Sequence, residues 1–180
     1  MLCNEFDPDR KALINPEEHL SPIPGFPEIC ILAFSSHIVE KCLERYGGEQ
    51  IAHVPFCTGP VPLYRVVMDG TPVVLGMPHV GAPAAVSFIE EVWPLGGKYF
   101  VFFGAAGVLD RNIPLNSFIL PTAAVRDEGL SYHYLPPAEE VALDPACVEA
   151  CRGALESLGL PFTQGKTWTT DAFYRETRGK

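Results

Sequence analysis

The chain has 180 residues, 47% of them hydrophobic and 19% charged, which is enough apolar material for a substantial buried core and excludes a disordered chain. Its 22 acidic residues against 13 basic ones give a net charge of −9, which argues against a nucleic-acid partner, because a phosphate backbone must be neutralised by clustered Lys and Arg. No apolar run approaches the roughly 20 residues that cross a bilayer, and the first ten residues are mixed polar rather than a basic segment leading into an apolar one, so a soluble, cytoplasmic protein acting on a small molecule is expected.

Residues 1–28 carry Pro16, Pro22, Pro24 and Pro27 and read as an extended lead-in. Residues 29–34 form a short apolar run of the kind found in buried strands. Ser35 or Ser36 can cap a following helix, whose apolar positions Ile38, Val39, Cys42, Leu43 and Tyr46 recur at helical spacing, with Gly47-Gly48 at its end. Residues 61–68 and 71–75 flank Asp69-Gly70, a two-residue hairpin signal. A second helix opens at Gly81 to Pro83 and stops before Gly96-Gly97. A second apolar strand, residues 99–103, runs directly into Gly104-Ala105-Ala106-Gly107. Further strands are expected at 117–120 and 123–126, a helix from Asp144-Pro145 to Leu158, and a last strand over about 162–168.

Strands interleaved with amphipathic helices imply an α/β domain over residues 29–180, with helices on both faces of a parallel or mixed sheet. Such sheets bind ligands where loops leave the carboxyl ends of strands. The six cysteines, Cys3, Cys30, Cys42, Cys57, Cys147 and Cys151, contain no C-x-x-C pair and read as reduced side chains rather than a disulfide framework or a metal site, and no metal is expected.

Four segments could carry chemistry. Gly104-Ala105-Ala106-Gly107 follows a buried strand and lets ligand atoms approach the backbone, yet a tight structural turn explains the same letters. Residues 125–134 gather Arg126, Asp127, Glu128, His133 and two tyrosines. They read either as a hydrogen-bonding pocket or as a solvated strand end with Arg126 paired to Asp127. In residues 168–177, Phe173 could stack on a planar ring and Asp171 orient a loop, or the two could be a core aromatic and a turn cap. His79, in Met77-Pro78-His79-Val80-Gly81, lies at a strand-to-helix junction, where it could meet a ligand or simply serve the fold.

Together, Phe103-Gly104-Ala105-Ala106-Gly107, the stretch Leu120-Pro121-Thr122-Ala123-Ala124-Val125-Arg126-Asp127-Glu128-Gly129, Ser131-Tyr132-His133-Tyr134 and Thr169-Thr170-Asp171-Ala172-Phe173-Tyr174-Arg175-Glu176-Thr177 resemble the nucleoside phosphorylase family. Val80-Gly81-Ala82-Pro83 adds to the likeness. The resemblance implies a three-layer α/β/α fold with a mixed central sheet. It also implies phosphorolysis of a uridine or purine nucleoside in nucleotide salvage, by a transferase that forms a homo-oligomer, a dimer or a trimer of dimers. No cofactor is implied; phosphate is the co-substrate. The nucleoside is expected between Ala106-Gly107 and Phe173, with Gly104, Ala105, Asp171 and His79 also on the substrate side.

The chain departs from the family at the anion site. Where family phosphorylases have a Gly-Asp-Pro-x-Arg turn, this sequence has Phe34-Ser35-Ser36-His37-Ile38, leaving Ser35, Ser36 and His37 as the candidate anion ligands. Phe102 stands for an arginine and Ala105 for a hydroxyl residue, and an arginine expected near Gly59 has no counterpart. The family's ribose-clamping Met-Glu pair falls beyond Lys180, so a missing C-terminal part of the domain is expected. No catalytic residue is assigned. Two other readings remain: a nucleosidase that uses water, and a nucleoside-binding homologue without activity.

Overall fold

The computed structural model describes residues 6–115 and 117–179. Cys3 lies outside the described residues. The chain divides into two compact units, residues 9–106 and residues 107–179 with 6–8.

The first unit contains β1 (Ile29–Ala33), β2 (Glu49–Val54), β3 (Val61–Met68), β4 (Thr71–Gly76), β5 (Tyr99–Phe103), α1 (Ser36–Tyr46) and α2 (Ala82–Val92). Its sheet has the order β2-β3-β4-β1-β5. Pairing is antiparallel from β2 to β4 and parallel through β4, β1 and β5, so the sheet is mixed. At the β3–β4 hairpin, Asp69 has φ 48 and Gly70 φ 82. Both central residues sit in the left-handed region, the turn geometry that matches strand twist, and Asp and Gly adopt it at low cost.

Alternation along β1 builds the layers. Cys30 and Leu32 join one buried cluster with Leu63, Val74, Phe88 and Val92, whereas Ala33 joins another with Val39, Val66, Val73 and Leu75, to which Ile29 and Ile31 add. Successive strand side chains point to opposite faces, so α2 covers one face and α1 the other. A strand buried on both sides must be apolar throughout, as β1 is.

β2 escaped the sequence pattern because it is an edge strand with a mostly exposed, partly polar face and a bulge between Gln50 and Ala52. Within the lead-in, Pro16–Glu18 forms a 3-10 turn preceded by buried Asn15, whose side chain bonds Ala12 and Glu18. Phe26 enters the α2-side core, and Ile23 donates its N–H to the Leu95 carbonyl.

The second unit holds β6 (Phe118–Asp127), β7 (Glu140–Ala142), α3 (Pro145–Ser157) and β8 (Phe162–Thr170). Its sheet order is β7-β6-β8, with β8 parallel and β7 antiparallel to β6. The two strands expected at 117–120 and 123–126 are one ten-residue strand, with a register shift between Pro121 and Ala123. Proline has no N–H to donate to the ladder, which accounts for an irregularity that the sequence presents as a break. Asp144 caps α3 by accepting from the Ala146 N–H at 2.8 Å.

Among the described residues, no helix is long and apolar enough to cross a membrane, no group of three or more His, Cys, Asp or Glu is placed to hold a metal, and the five cysteines are free. Cys30 is fully buried, and burial pushes its thiol from 9.0 up to about 12. The folded state therefore keeps a proton that the unfolded state releases above pH 9, so stability present below that pH is lost as pH rises toward 12. A thiol-specific chromogenic reagent at pH 8 should titrate the exposed Cys57, Cys147 and Cys151 and reach Cys30 only in denaturant. The fall in unfolding free energy above pH 9 should be smaller in Cys30→Val.

Candidate functional site

In the first unit, Gly76, Leu32 and Phe102 lie side by side in register on the parallel strands β4, β1 and β5. His79, Ser35 and Ala105 each come three residues later. Three segments singled out in the sequence therefore leave the sheet along one edge, the carboxyl edge where α/β sheets bind ligands.

His79 is half-buried; its Nε2 lies 3.1 Å from Thr58 Oγ1, and its ring meets Phe56 edge-on at 4.9 Å. Ser35 occupies the cap position of α1, but its hydroxyl makes no capping bond. Ser36 and His37, the first residues of the helix, are at its open amino end, with His37 exposed. Phe34 donates its N–H to the Phe103 carbonyl at 2.9 Å, and its ring stacks on Phe102 with centroids 5.8 Å apart. Gly104 has a packing reason to be glycine: a Cβ there would sit 3.3 Å from Phe34 Cδ2. Gly107, where the second unit begins, would meet nothing within 4 Å. Residues 104–107 are exposed.

The second unit overturns one reading of residues 125–134. Arg126 is not at a solvated strand end; it is 7% exposed. Its Nε donates to Ser131 Oγ at 2.8 Å, Nη1 to the Pro136 carbonyl at 2.8 Å and Nη2 to the Leu135 carbonyl at 3.3 Å. The guanidinium lies 4.2 Å from the Tyr132 ring centroid, and the Tyr132 hydroxyl returns a bond to the Arg126 carbonyl. Glu128, also buried, accepts from the N–H groups of Leu130 and Ser131 at 2.8 and 2.9 Å and from the Ser131 hydroxyl. Arg126 and Glu128 thus share Ser131, and the chain from 128 to 136 is wrapped around a buried guanidinium.

The end of β8 is tied to the end of β6. Trp168 Nε1 donates to Asp127 Oδ2 at 3.1 Å, the Asp171 N–H to the Asp127 carbonyl at 3.2 Å, and the Gly129 N–H to Asp171 Oδ2 at 2.9 Å. The 3-10 turn Phe173–Arg175 comes next. Phe173 is 63% exposed and lies 4.3 Å, centroid to centroid, from the tilted Tyr174 ring. The sequence did not single out Thr58 or the Gly129 amide. Each meets its partner only through tertiary folding, across 21 and 42 residues respectively.

Residues 28–180 match the family model described as the Phosphorylase superfamily, and the chain belongs to that superfamily. It is 31% identical over 111 residues to a uridine phosphorylase of Escherichia coli strain K12, an alignment covering 62% of this chain and 44% of that protein. A guanosine phosphorylase of Halorubrum lacusprofundi is 26% identical over 117 residues, 63% of this chain and 48% of that one. The aligned part thus spans less than half the length of these curated relatives. The fold is similar to that of a Vibrio fischeri uridine phosphorylase (TM-score 0.73, 23% identity, covering 88% of this chain and 68% of that one). It is also similar to that of a Toxoplasma gondii purine nucleoside phosphorylase in complex with immucillin-H (TM-score 0.71, 22% identity, covering 85% and 61%).

Ser131→Ala should separate the shared hydroxyl from its structural consequence. It leaves Arg126 Nε and a Glu128 oxygen short of a partner in a buried setting, a loss of about 1–3 kcal/mol. Denaturant unfolding should show a lower midpoint with an unchanged slope.

Proposed function

We propose that this protein binds a nucleoside and cleaves its N-glycosidic bond with inorganic phosphate, as a nucleoside phosphorylase-like pentosyltransferase. The match of residues 28–180 to the Phosphorylase superfamily carries this reading. The exposed ring of Phe173 and the open backbone of residues 104–107 support it.

In this reading Phe173 stacks on the base or sugar. Gly104 and Ala105 let the ligand approach the main chain, and the Ala106-Gly107 backbone forms the base-side wall. Ser35, Ser36 and His37, at the amino end of α1, hold the anion through hydroxyls, an imidazole and free helix N–H groups. His79, braced by Thr58 and Phe56, lies on the same edge of the sheet. Chemically, the bond from the anomeric carbon to the base lengthens toward an oxocarbenium ion. A phosphate oxygen attacks that carbon, and the base leaves with the bonding pair and takes up a proton. The reaction needs no cofactor beyond phosphate. A cytoplasmic location and a homo-oligomer, a dimer or a trimer of dimers, complete the proposal.

One observation favours a second reading, nucleoside binding without phosphorolysis. Phe34 and Phe102 stack on each other at the ends of β1 and β5, in the segments that by resemblance carry phosphate-holding arginines in the family. Charge-assisted hydrogen bonds to an anion contribute roughly 1.5–3 kcal/mol each, and two apolar rings offer none. The gene product should be incubated with uridine, inosine and guanosine, with and without phosphate, and free base and pentose 1-phosphate separated by chromatography. Phosphate-dependent release is the expected result. Release without phosphate identifies a nucleosidase, and calorimetric binding without release identifies the inactive homologue. Phe173→Ala should weaken nucleoside binding by about 1–3 kcal/mol, the range for loss of a base–aromatic stack, or about 5- to 150-fold in Kd.

A further inference from the structure

We infer that Asp171 is a positioning residue: its carboxylate, bonded to the Gly129 amide, anchors the turn that presents Phe173 and does not itself contact substrate. This rests on the reading that Phe173 receives the nucleoside.

The β6–β8 ladder ends with Asp127 opposite Thr170. Asp171 extends that attachment by one residue in two ways. Its main chain donates to the Asp127 carbonyl, and its side chain accepts from Gly129, two residues further along the neighbouring segment. Beyond Asp171 the hydrogen bonds of the described residues 172–176 are local. Ala172 donates to Thr170 Oγ1, Arg175 to the Ala172 carbonyl and Glu176 to the Phe173 carbonyl. The turn Phe173–Arg175 has no buried residue. Among the hydrogen bonds described for residues 171–176, the two that reach β6 and the turn after it are both made by Asp171, so its carboxylate is the side-chain tie between the aromatic turn and the rest of the unit.

The other half of the clasp is held firmly. Three successive amides are taken by carboxylates from two sides: Gly129 by Asp171, and Leu130 and Ser131 by Glu128. Glu128 and Arg126 hold Ser131 in common. The Gly129 N–H is therefore presented by a braced turn rather than by a free loop, and a braced donor can orient its acceptor. Gly129 itself is exposed, so slow exchange of its amide would report this bond.

The test compares Asp171→Ala, which removes the acceptor, with Asp171→Asn, whose amide oxygen can still accept from Gly129. Hydrogen exchange at the Gly129 amide and tryptic cleavage after Arg175 are followed in the folded chain. Both should quicken at least tenfold in Asp171→Ala and stay within threefold of the parent in Asp171→Asn. Uridine and inosine Kd should rise about tenfold in Asp171→Ala and stay within threefold in Asp171→Asn. The double variant with Phe173→Ala should bind no worse than Phe173→Ala alone, because Asp171 acts through that ring. The inference is overturned if exchange and cleavage are unchanged in Asp171→Ala, if Asp171→Asn binds as poorly as Asp171→Ala, or if the two single losses multiply in the double variant. If the parent chain binds no nucleoside, the functional reading falls, while exchange and proteolysis still decide whether the clasp exists.

Discussion

β1 is hydrogen-bonded on both sides, to β4 and to β5, and both neighbours run parallel to it. Its side chains enter two separate cores in alternation. These constraints together determine which residues share the carboxyl edge of the first unit's sheet. Parallel pairing forces three carboxyl ends to emerge along one edge, and burial on both faces requires helices above and below. The connections that lead to those helices must then begin at that edge, so Ser35 at the start of α1 and His79 just before α2 are placed there by topology. Gly104 arrives by the same route, at the end of β5. Apolar continuity in β1 is thus a condition for the position of residues that share no local pattern with it.

The second unit depends on a different kind of constraint, a buried charge. A guanidinium removed from water is costly unless its donors are satisfied, and Arg126 meets that condition by drawing Ser131 and the carbonyls of Leu135 and Pro136 around itself. Glu128 completes the arrangement through the amides of the same turn. The result is an irregular segment bonded to two buried charged side chains, and it lies where β6 ends. Because β8 runs parallel to β6, its own end arrives beside this segment, and the bonds of Asp127 with Trp168 and Asp171 join the two. The aromatic turn after β8 takes its position from that junction.

Where period and punctuation agree, the elements were legible. The apolar run of β1, the helical spacing of α1 ended by Gly47, the Asp69-Gly70 hairpin and the Asp144-Pro145 start of α3 each rest on local physics that the fold leaves intact. β2 was hidden because an edge strand buries little and so carries little alternation. β6 read as two strands because Pro121 interrupts the pattern of donors without ending the strand. In the candidate site, the small residues after β5 and the aromatic after β8 could be found by inspection, although β5, which its apolar run marked as a buried strand, is the edge strand of its sheet and mostly exposed. The partners that orient them could not. Thr58 beside His79, and Gly129 beside Asp171, are ordinary residues until the chain closes on itself.

Residue type and spacing were enough for the class of fold and the order of most elements, and the motifs within residues 80–83 and 103–177 were enough for the resemblance to the family. All of these are properties of the chain before it folds. Three-dimensional packing was needed to establish that Arg126 is buried rather than solvated, that Phe34 and Phe102 stack on each other, and that the Asp171 carboxylate is bound to a backbone amide. Burial and hydrogen-bond partnership depend on which segments meet in space. A polar side chain keeps the same letter whether it faces water, a ligand or its own backbone.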